Sequence, residues 1–282
     1  MIESRDPEAK GGFDLVGVPA GTLGIALLLV SIVQGSDWGY TSTLTLGIAA
    51  IGIALLGVLI VRSSTHSAPL LDLDLFRIQS FWSAAMGQTF YATAFMAIIL
   101  FNTLLLQEWW GWSSLAAGFG VVVGPALAAV IGGPIGSVAD RFGHRWLLVL
   151  GCLFTAGNPI WLWVRAESQP DYTTTVLPGL LMLGVGVACA FATFNSLGLR
   201  DVPQARFATA SATLRTTSSL GFSVGIALSV AIYSAASDLG PVVAYRRTWA
   251  FAAITLLLGA GLCALCCPAR SKAFLETDTE PA

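Results

Sequence analysis

The sequence predicts an all-α, polytopic membrane protein. Of its 282 residues, 55% are hydrophobic and only 11% are charged, and the mean hydropathy is +0.77. A soluble domain carries roughly 25% charged residues, so this chain cannot cover its apolar surface with polar side chains and needs lipid to cover it. Long apolar runs also follow one another along the chain, separated by short segments that are rich in turn residues.

Eight of these runs are candidate membrane spans. Each has close to the roughly 20 apolar residues that a transmembrane helix needs. Only the seventh contains a charged residue, Arg215. The predicted spans are Leu15–Val33, Leu44–Val61, Phe81–Leu106, Leu115–Ala139, Trp146–Val164, Val176–Leu197, Phe207–Ala235 and Trp249–Cys267.

The distribution of cations predicts how the spans are oriented. An even number of spans places both termini on one side, and ten of the fourteen Lys and Arg residues fall on that side, against three on the other. Cytoplasmic loops carry the excess of Lys and Arg, so both termini are expected in the cytoplasm of a multi-pass inner-membrane protein. Most tryptophans, including Trp163 and Trp249, fall at the opposite ends of the spans, where they are expected to form an interfacial belt.

The spacing of the spans predicts the domain organisation. We expect a cytoplasmic tail (1–14), a pair of transmembrane helices (15–62), a cytoplasmic linker (63–80), a six-helix bundle (81–267) and a second cytoplasmic tail (268–282). Because the polar residues before the first span do not form a signal peptide, that span is expected to remain as an anchor. Six closely spaced spans suggest a bundle of two three-helix repeats.

The short connection between the fourth and fifth spans has the features of a gating loop in a transporter. Gly136 allows a neighbouring helix to approach closely, and Gly143 supplies the left-handed backbone that a tight reversal needs. Arg141 suits the C-terminal end of a helix, whereas Asp140 does not and is expected to pair with a cation or a helix N-terminus. An ordinary cytoplasmic loop would explain Arg141 and Arg145 but not the other three residues at this spacing.

Polar and aromatic side chains inside the spans are candidates for a substrate cavity, because polar groups are costly in lipid. At 100° per residue, four of them in the third span fall within about 60° of one another. Such a stripe suits either a cavity for flat apolar ligands or a hydrogen-bonded seam between helices, and both interpretations stay open. The candidates are Gln88, Tyr91, Phe95 and Asn102, and Asn195 with Phe191 is a similar pair in the sixth span.

Arg215 is a further candidate for the cavity. It lies about 12 Å into the seventh span by helical rise, and Ser211, Ser218 and Ser219 share its helix face. Its side chain could border a cavity or reach back to the cytoplasmic surface. The Gly221-x-x-x-Gly225 pair lies on a different face and can pack against a neighbouring helix.

The sequence contains no constellation typical of an enzyme: no phosphate-binding loop, no metal-ligand spacing and no nucleophile with a base. The five cysteines fall in apolar runs, which favours helix packing over disulfides or metal binding. No basic cluster suggests a nucleic-acid partner. No Asp, Glu or His lies in the middle of a span, so this chain has no evident proton site.

The motif Gly136-x-x-x-Asp140-Arg141-x-Gly143-x-Arg145 resembles the signature loop of the major facilitator superfamily. That loop joins the second and third helices of each six-helix half, and here it joins the second and third of the last six spans. His144 departs from the family pattern, which often has Arg or Lys there. The resemblance implies a transporter that rocks two halves about a central site, with the five motif residues holding the cytoplasmic contacts of the gate and Asp140 at their centre.

Other segments resemble the fourteen-helix drug:proton antiporter branch (EmrB/QacA-like), in which two extra helices separate two six-helix halves. The segments are Asp14-Leu15-Val16-Gly17, Gln34-Gly35-x-x-Trp38-Gly39, Pro69-Leu70-Leu71-Asp72-Leu73-x-Leu75-Phe76-Arg77 and Ala208 to Ser229. The chain then corresponds to the two linker helices plus the C-terminal half. A truncated gene, a misplaced start or a split transporter would each explain the absence of the first six helices.

The resemblance implies proton-coupled efflux of small hydrophobic or cationic compounds. The expected partners are the lipid bilayer, a small-molecule substrate and a chain that supplies the first six helices, which carry the main proton-coupling carboxylates of the family. No cofactor is expected, since a proton gradient would supply the energy. Transport of another small metabolite, and a remnant or interaction protein that does not transport, remain alternatives.

Overall fold

The computed structural model describes residues 17–65, 73–165 and 171–268, and these residues form helices without any strand. Seven of the eight predicted spans are helices long and apolar enough to cross a membrane, whereas the first is a shorter apolar helix within the described residues. The α-helices are α1 (Gly17–Val33), α2 (Gly35–Trp38), α3 (Thr43–Thr65), α4 (Gln79–Leu104), α5 (Ser114–Val121), α6 (Val123–Phe142), α7 (His144–Arg165), α8 (Leu177–Leu199), α9 (Phe207–Ser234) and α10 (Pro241–Cys266). The prediction of an all-α polytopic membrane protein is confirmed.

Several predicted features lie outside the described residues. They are the N-terminal tail at 1–14, residues 66–72 of the predicted linker and all but the first residue of the C-terminal tail at 268–282. Residues 63–65 of the predicted linker instead continue α3, and Leu73–Arg77 forms a short 3-10 helix just before α4. Its Leu75 is completely buried beside Phe81 and Leu214. This contact fixes the N-terminal end of α4 against α9.

The eighth span begins earlier than predicted. Helix α10 starts at Pro241, a favoured residue for the first helical turn, rather than at Trp249. The hydropathy pattern breaks at Arg246 and Arg247, but a helix can continue through arginines whose long side chains reach the polar headgroups. As a result Trp249 lies two turns inside the helix and is 1% exposed. Its assignment to an interfacial belt was therefore wrong.

Helix α4 occupies the middle of the bundle. It packs against α8, α9 and α10, and α7 packs between α8 and α10. Helix α6 also packs against α8. The hairpin formed by α1 and α3 joins the bundle through contacts between α1 and α9. The predicted fourth span is divided into α5 and α6 at Val122, because Pro125 has no N–H to donate to the carbonyl of Val121.

Helix α9 approaches α4 closely through the glycine pair that the sequence singled out. A Cβ atom on Gly221 would lie 2.7 Å from the carbonyl oxygen of Thr89, and one on Gly225 would overlap the carbonyl of Thr93. The expected packing of Gly221-x-x-x-Gly225 against a neighbouring helix is confirmed. Between apolar helices in lipid, such backbone contact replaces the hydrophobic effect as the source of association.

We predict that Gly225→Ala destabilises the bundle by roughly 1–3 kcal/mol, because the added methyl group would force α9 away from α4. Thermal unfolding of the detergent-solubilised chain, followed by size-exclusion chromatography, measures the effect. Gly132→Ala is the matched control, since a Cβ there would meet no atom within 4 Å. Equal melting temperatures for the two variants would show that this contact does not limit packing.

Candidate functional site

The signature motif forms a very tight turn between two helices. Helix α6 continues through Phe142 and α7 begins at His144, so Gly143 alone connects them. Its φ of +84° is in the left-handed region that favours glycine. Asp140 and Arg141 belong to the last turn of α6. The side-chain positions of residues 136–142 lie outside the described part of the structure, so the roles of Gly136, Asp140 and Arg141 stay predictions.

The residues that follow Gly143 bind other helices of the same bundle. The Arg145 guanidinium donates a hydrogen bond to the carbonyl of Ala264 near the C-terminal end of α10. The Nε2 atom of His144 lies 2.9 Å from the hydroxyl of Ser196 on α8. From the start of α4, the Gln79 amide donates to the carbonyl of Cys266 over 3.2 Å. Two of the C-terminal carbonyls of α10, which have no partner within the helix, are thereby satisfied from two other elements.

Two of the predicted cavity residues lie in a seam between α4 and α7. The hydroxyl of Tyr91 hydrogen-bonds to that of Thr155 at 2.8 Å, and the Asn102 amide donates to the Asn158 side-chain oxygen at 3.2 Å. All four side chains are buried. The hydroxyl and amide groups of Tyr91 and Asn102 are therefore used between helices, which is the second of the two interpretations that the sequence left open.

A second group of side chains forms a surface of aromatic rings where α4, α8 and α9 meet. The ring of Phe95 lies 5.4 Å from that of Phe191 and 6.4 Å from that of Phe222. The ring of Tyr91 packs edge-on against Phe191 at 5.5 Å and forms the buried base of the group. Phe95, Phe191 and Phe222 are only partly buried, and we refer to these three residues as the aromatic surface. The sequence pointed to Phe95 and, beside Asn195, to Phe191, but not to Phe222, which lies in a distant helix.

Gln88 and Asn195 belong to neither the seam nor the aromatic surface. Gln88 is 5% exposed, and its side-chain oxygen has no hydrogen-bond partner among the described residues. An unpaired buried acceptor is costly, and the side-chain oxygen of Asn102 also has no hydrogen-bond partner among the described residues. Asn195 is partly buried, and its amide donates to the carbonyl of Phe191 in its own helix at 3.0 Å. It therefore lies one turn from the aromatic surface.

Arg215 is exposed on α9, and no carboxylate pairs with it among the described residues. Of the serines predicted on its face, Ser219 is also exposed and Ser211 is partly buried. The hydroxyl of Ser218 instead turns inward and donates to the carbonyl of Leu214 at 2.8 Å. The guanidinium thus borders a surface that the rest of the described chain leaves open.

Helices α5 and α6 are also little buried by the rest of the described chain. In the span that α5 and α6 form, 28% of the apolar stretch is buried, and in the span that contains α9 the fraction is 33%. These are the lowest buried fractions among the described spans of the six-helix bundle. Large side chains such as Phe119 and Val130 are exposed there. Within the described residues, no group of three or more His, Cys, Asp or Glu side chains could hold a metal ion.

The described residues contain seven helices that could cross a membrane, so the fold is that of a helical, multi-pass membrane protein. It carries a glycine turn beside cationic residues and a group of partly exposed aromatic rings. The model of the major facilitator superfamily matches residues 84–280. The chain belongs to this superfamily, as the motif predicted.

Curated relatives fit the predicted branch of the family. The chain is 26% identical over 242 residues to the probable multidrug resistance protein EmrY of Escherichia coli (strain K12). The alignment covers 85% of this chain and 47% of EmrY. It is 28% identical to the multidrug resistance protein Stp of Mycobacterium tuberculosis (80% and 42% covered) and 29% identical to the multidrug efflux pump LfrA of Mycolicibacterium smegmatis (83% and 45%). The chain spans less than half the length of these relatives.

We predict that Arg145→Gln loosens the C-terminal turn of α10, because the carbonyl of Ala264 would lose its charged donor. A hydrogen bond to a charged group contributes roughly 1.5–3 kcal/mol, so amides of Cys263 to Cys267 should exchange about tenfold faster or more, as measured by hydrogen–deuterium exchange. Arg77→Gln is the control, since Arg77 is exposed and pairs at the surface with Asp74 at 3.6 Å. Unchanged exchange in Arg145→Gln would contradict the assigned role.

Proposed function

We propose that this chain supplies the C-terminal half and the two linker helices of a proton-coupled exporter. Its substrates would be small hydrophobic or cationic compounds. The observation that carries the proposal is the aromatic surface on the open face of the bundle. Aromatic ring faces attract cations and offer flat apolar area to a ligand. The names of EmrY, Stp and LfrA, which refer to multidrug resistance or efflux, support the same class of substrate.

A chain with six further helices would complete the transporter. Large apolar side chains on α5 and α6, and Arg215 on α9, are exposed. Lipid suits the apolar groups but not an unpaired cation, whereas a facing half with a water-filled cavity would suit both. No acidic residue lies in the middle of a predicted span of this chain, so the partner would carry the proton-coupling carboxylates. The excess of Lys and Arg on one side supports cytoplasmic termini.

The signature motif would then act at the cytoplasmic contact between the two halves. His144 and Arg145 already bind α8 and α10 of their own bundle. Asp140 precedes Gly143, at the end of α6, the helix with an open face. An anion at a helix C-terminus is unfavourable without a partner. We assign Asp140 to a contact with the facing half that forms when the gate closes.

A different substrate class has one observation in its favour. Arg215 is an exposed, unpaired cation among the described residues, and it would attract an anionic metabolite more readily than a cationic drug. Competition experiments in vesicles distinguish the two classes. Inhibition of dye transport by lipophilic cations supports the exporter, and inhibition by organic anions alone supports the metabolite transporter.

Co-expression tests the proposed function. Cells that produce this chain together with the first six helices of a full-length relative should export ethidium, whereas cells with either part alone should retain it. In the active pair, Phe95→Ala should weaken apparent affinity for ethidium about three- to tenfold, the range of a cation–π contact. Phe154→Ala is the control, because Phe154 is 42% exposed on α7 and contacts no other aromatic ring among the described residues. Equal retention of dye with and without the partner would refute the proposal.

We predict that Asp140→Asn abolishes transport in the same assay but leaves membrane insertion intact, since the change removes a charge without altering side-chain size. Efflux rates and the amount of chain in the membrane fraction are measured together. Asp74→Asn is the control, because Asp74 is an exposed carboxylate close to the start of α4. Wild-type efflux in Asp140→Asn would remove Asp140 from the gate.

A further inference from the structure

A groove with a volume of about 180 Å³ runs between α7 and α10. Its side chains are almost entirely apolar, and the 1% exposed ring of Trp249 lies at its base. Ile160 and Ile254 form its rims and are 44% and 57% exposed. The groove is lined by Pro159, Ile160 and Trp163 from α7 and by Trp249, Ala250, Ala253 and Ile254 from α10.

The groove lies in the part of the bundle distant from the signature turn. Pro159 is fifteen residues beyond His144, which places it roughly 22 Å from that turn by helical rise. Neither α7 nor α10 contributes a ring to the aromatic surface. The groove is therefore separate from the proposed substrate site.

A cation lies at the end of the groove that is nearest the start of α10. The guanidinium carbon of Arg246 is 5.9 Å from the centre of the Trp163 ring, which is part of the groove wall. Arg246 is exposed, and no carboxylate pairs with it among the described residues. Ala250 and Ala253 follow on the same face of α10, about one and two turns further into the membrane. Their small side chains leave the space that forms the groove.

We propose that this groove binds an anionic phospholipid, with one acyl chain along Ala250 and Ala253 and the headgroup phosphate at Arg246. The chain spans a bilayer, so lipid is the molecule that meets this surface. Arginine suits phosphate because its planar guanidinium can donate two parallel hydrogen bonds. The position of Arg246 near the start of its helix places the cation close to the headgroups, and the apolar groove points towards the hydrocarbon. The proposal does not depend on transport activity.

Photo-cross-linking tests the site on the full chain reconstituted in lipid nanodiscs. The probe is phosphatidylglycerol with a diazirine on one acyl chain, and peptide mass spectrometry locates the products. Cross-links concentrated on the peptides of α7 and α10 that contain Ile160 and Ile254 are the expected result. The matched phosphatidylcholine probe should label these peptides less. Labelling spread evenly over the lipid-facing helices, or equal labelling by both probes, would overturn the proposal.

Two variants separate the headgroup contact from the acyl-chain contact. Arg246→Gln should lower labelling by the phosphatidylglycerol probe about fivefold, the effect expected for one basic residue at an anionic surface. Arg247→Gln is its control, because Arg247 is also exposed but forms no cation–π contact with a groove residue within the described structure. Ala250→Leu should lower labelling by both probes, because Leu fills the groove. Equal effects of Arg246→Gln and Arg247→Gln, or full labelling of Ala250→Leu, would overturn the site in variants that melt like the wild type.

Discussion

The close packing of small and polar residues around α4 is the constraint on which the rest of the bundle depends. Lipid chains are as apolar as leucine, so helices in a bilayer associate through backbone contact and internal hydrogen bonds. Gly221 and Gly225 bring α9 against α4, and the hydrogen bonds of Tyr91 and Asn102 join α4 to α7. With these sides occupied, the part of α4 that carries Phe95 remains at the open face.

The signature turn relies on the same arrangement. Helix α10 packs against both α4 and α7, so its C-terminal end lies within reach of Gln79 and Arg145. The motif is thereby divided at Gly143. The residues after the glycine stabilise their own half, while those before it end a helix whose other side is open. In the proposed transporter, a movement of the facing half would change the contacts of Asp140 while the hydrogen bond from Arg145 to α10 stays in place.

Features that depend on nearby residues could be predicted from the sequence, whereas contacts between distant helices could not. Apolar length located the spans, and glycine spacing predicted both the reversal at Gly143 and the close packing of α9. The partners of Tyr91 and Asn102 lie more than fifty residues away on α7, and no local pattern identifies them. The start of α10 was misjudged because hydropathy treats Arg246 as a boundary, although its side chain can extend to the membrane surface.

Arg215 and Arg246 differ in a way that connects the two proposed surfaces. Both are exposed and without a carboxylate partner among the described residues. Arg246 lies about 7.5 Å from the start of its helix and Arg215 about 12 Å. A lipid phosphate can satisfy the shallower cation at the headgroups. The deeper cation is harder to satisfy from the membrane surface, since an unpaired charge grows more costly towards the bilayer centre. Arg215 therefore favours a water-filled space beside α9, the position at which a facing half would enclose a substrate pathway.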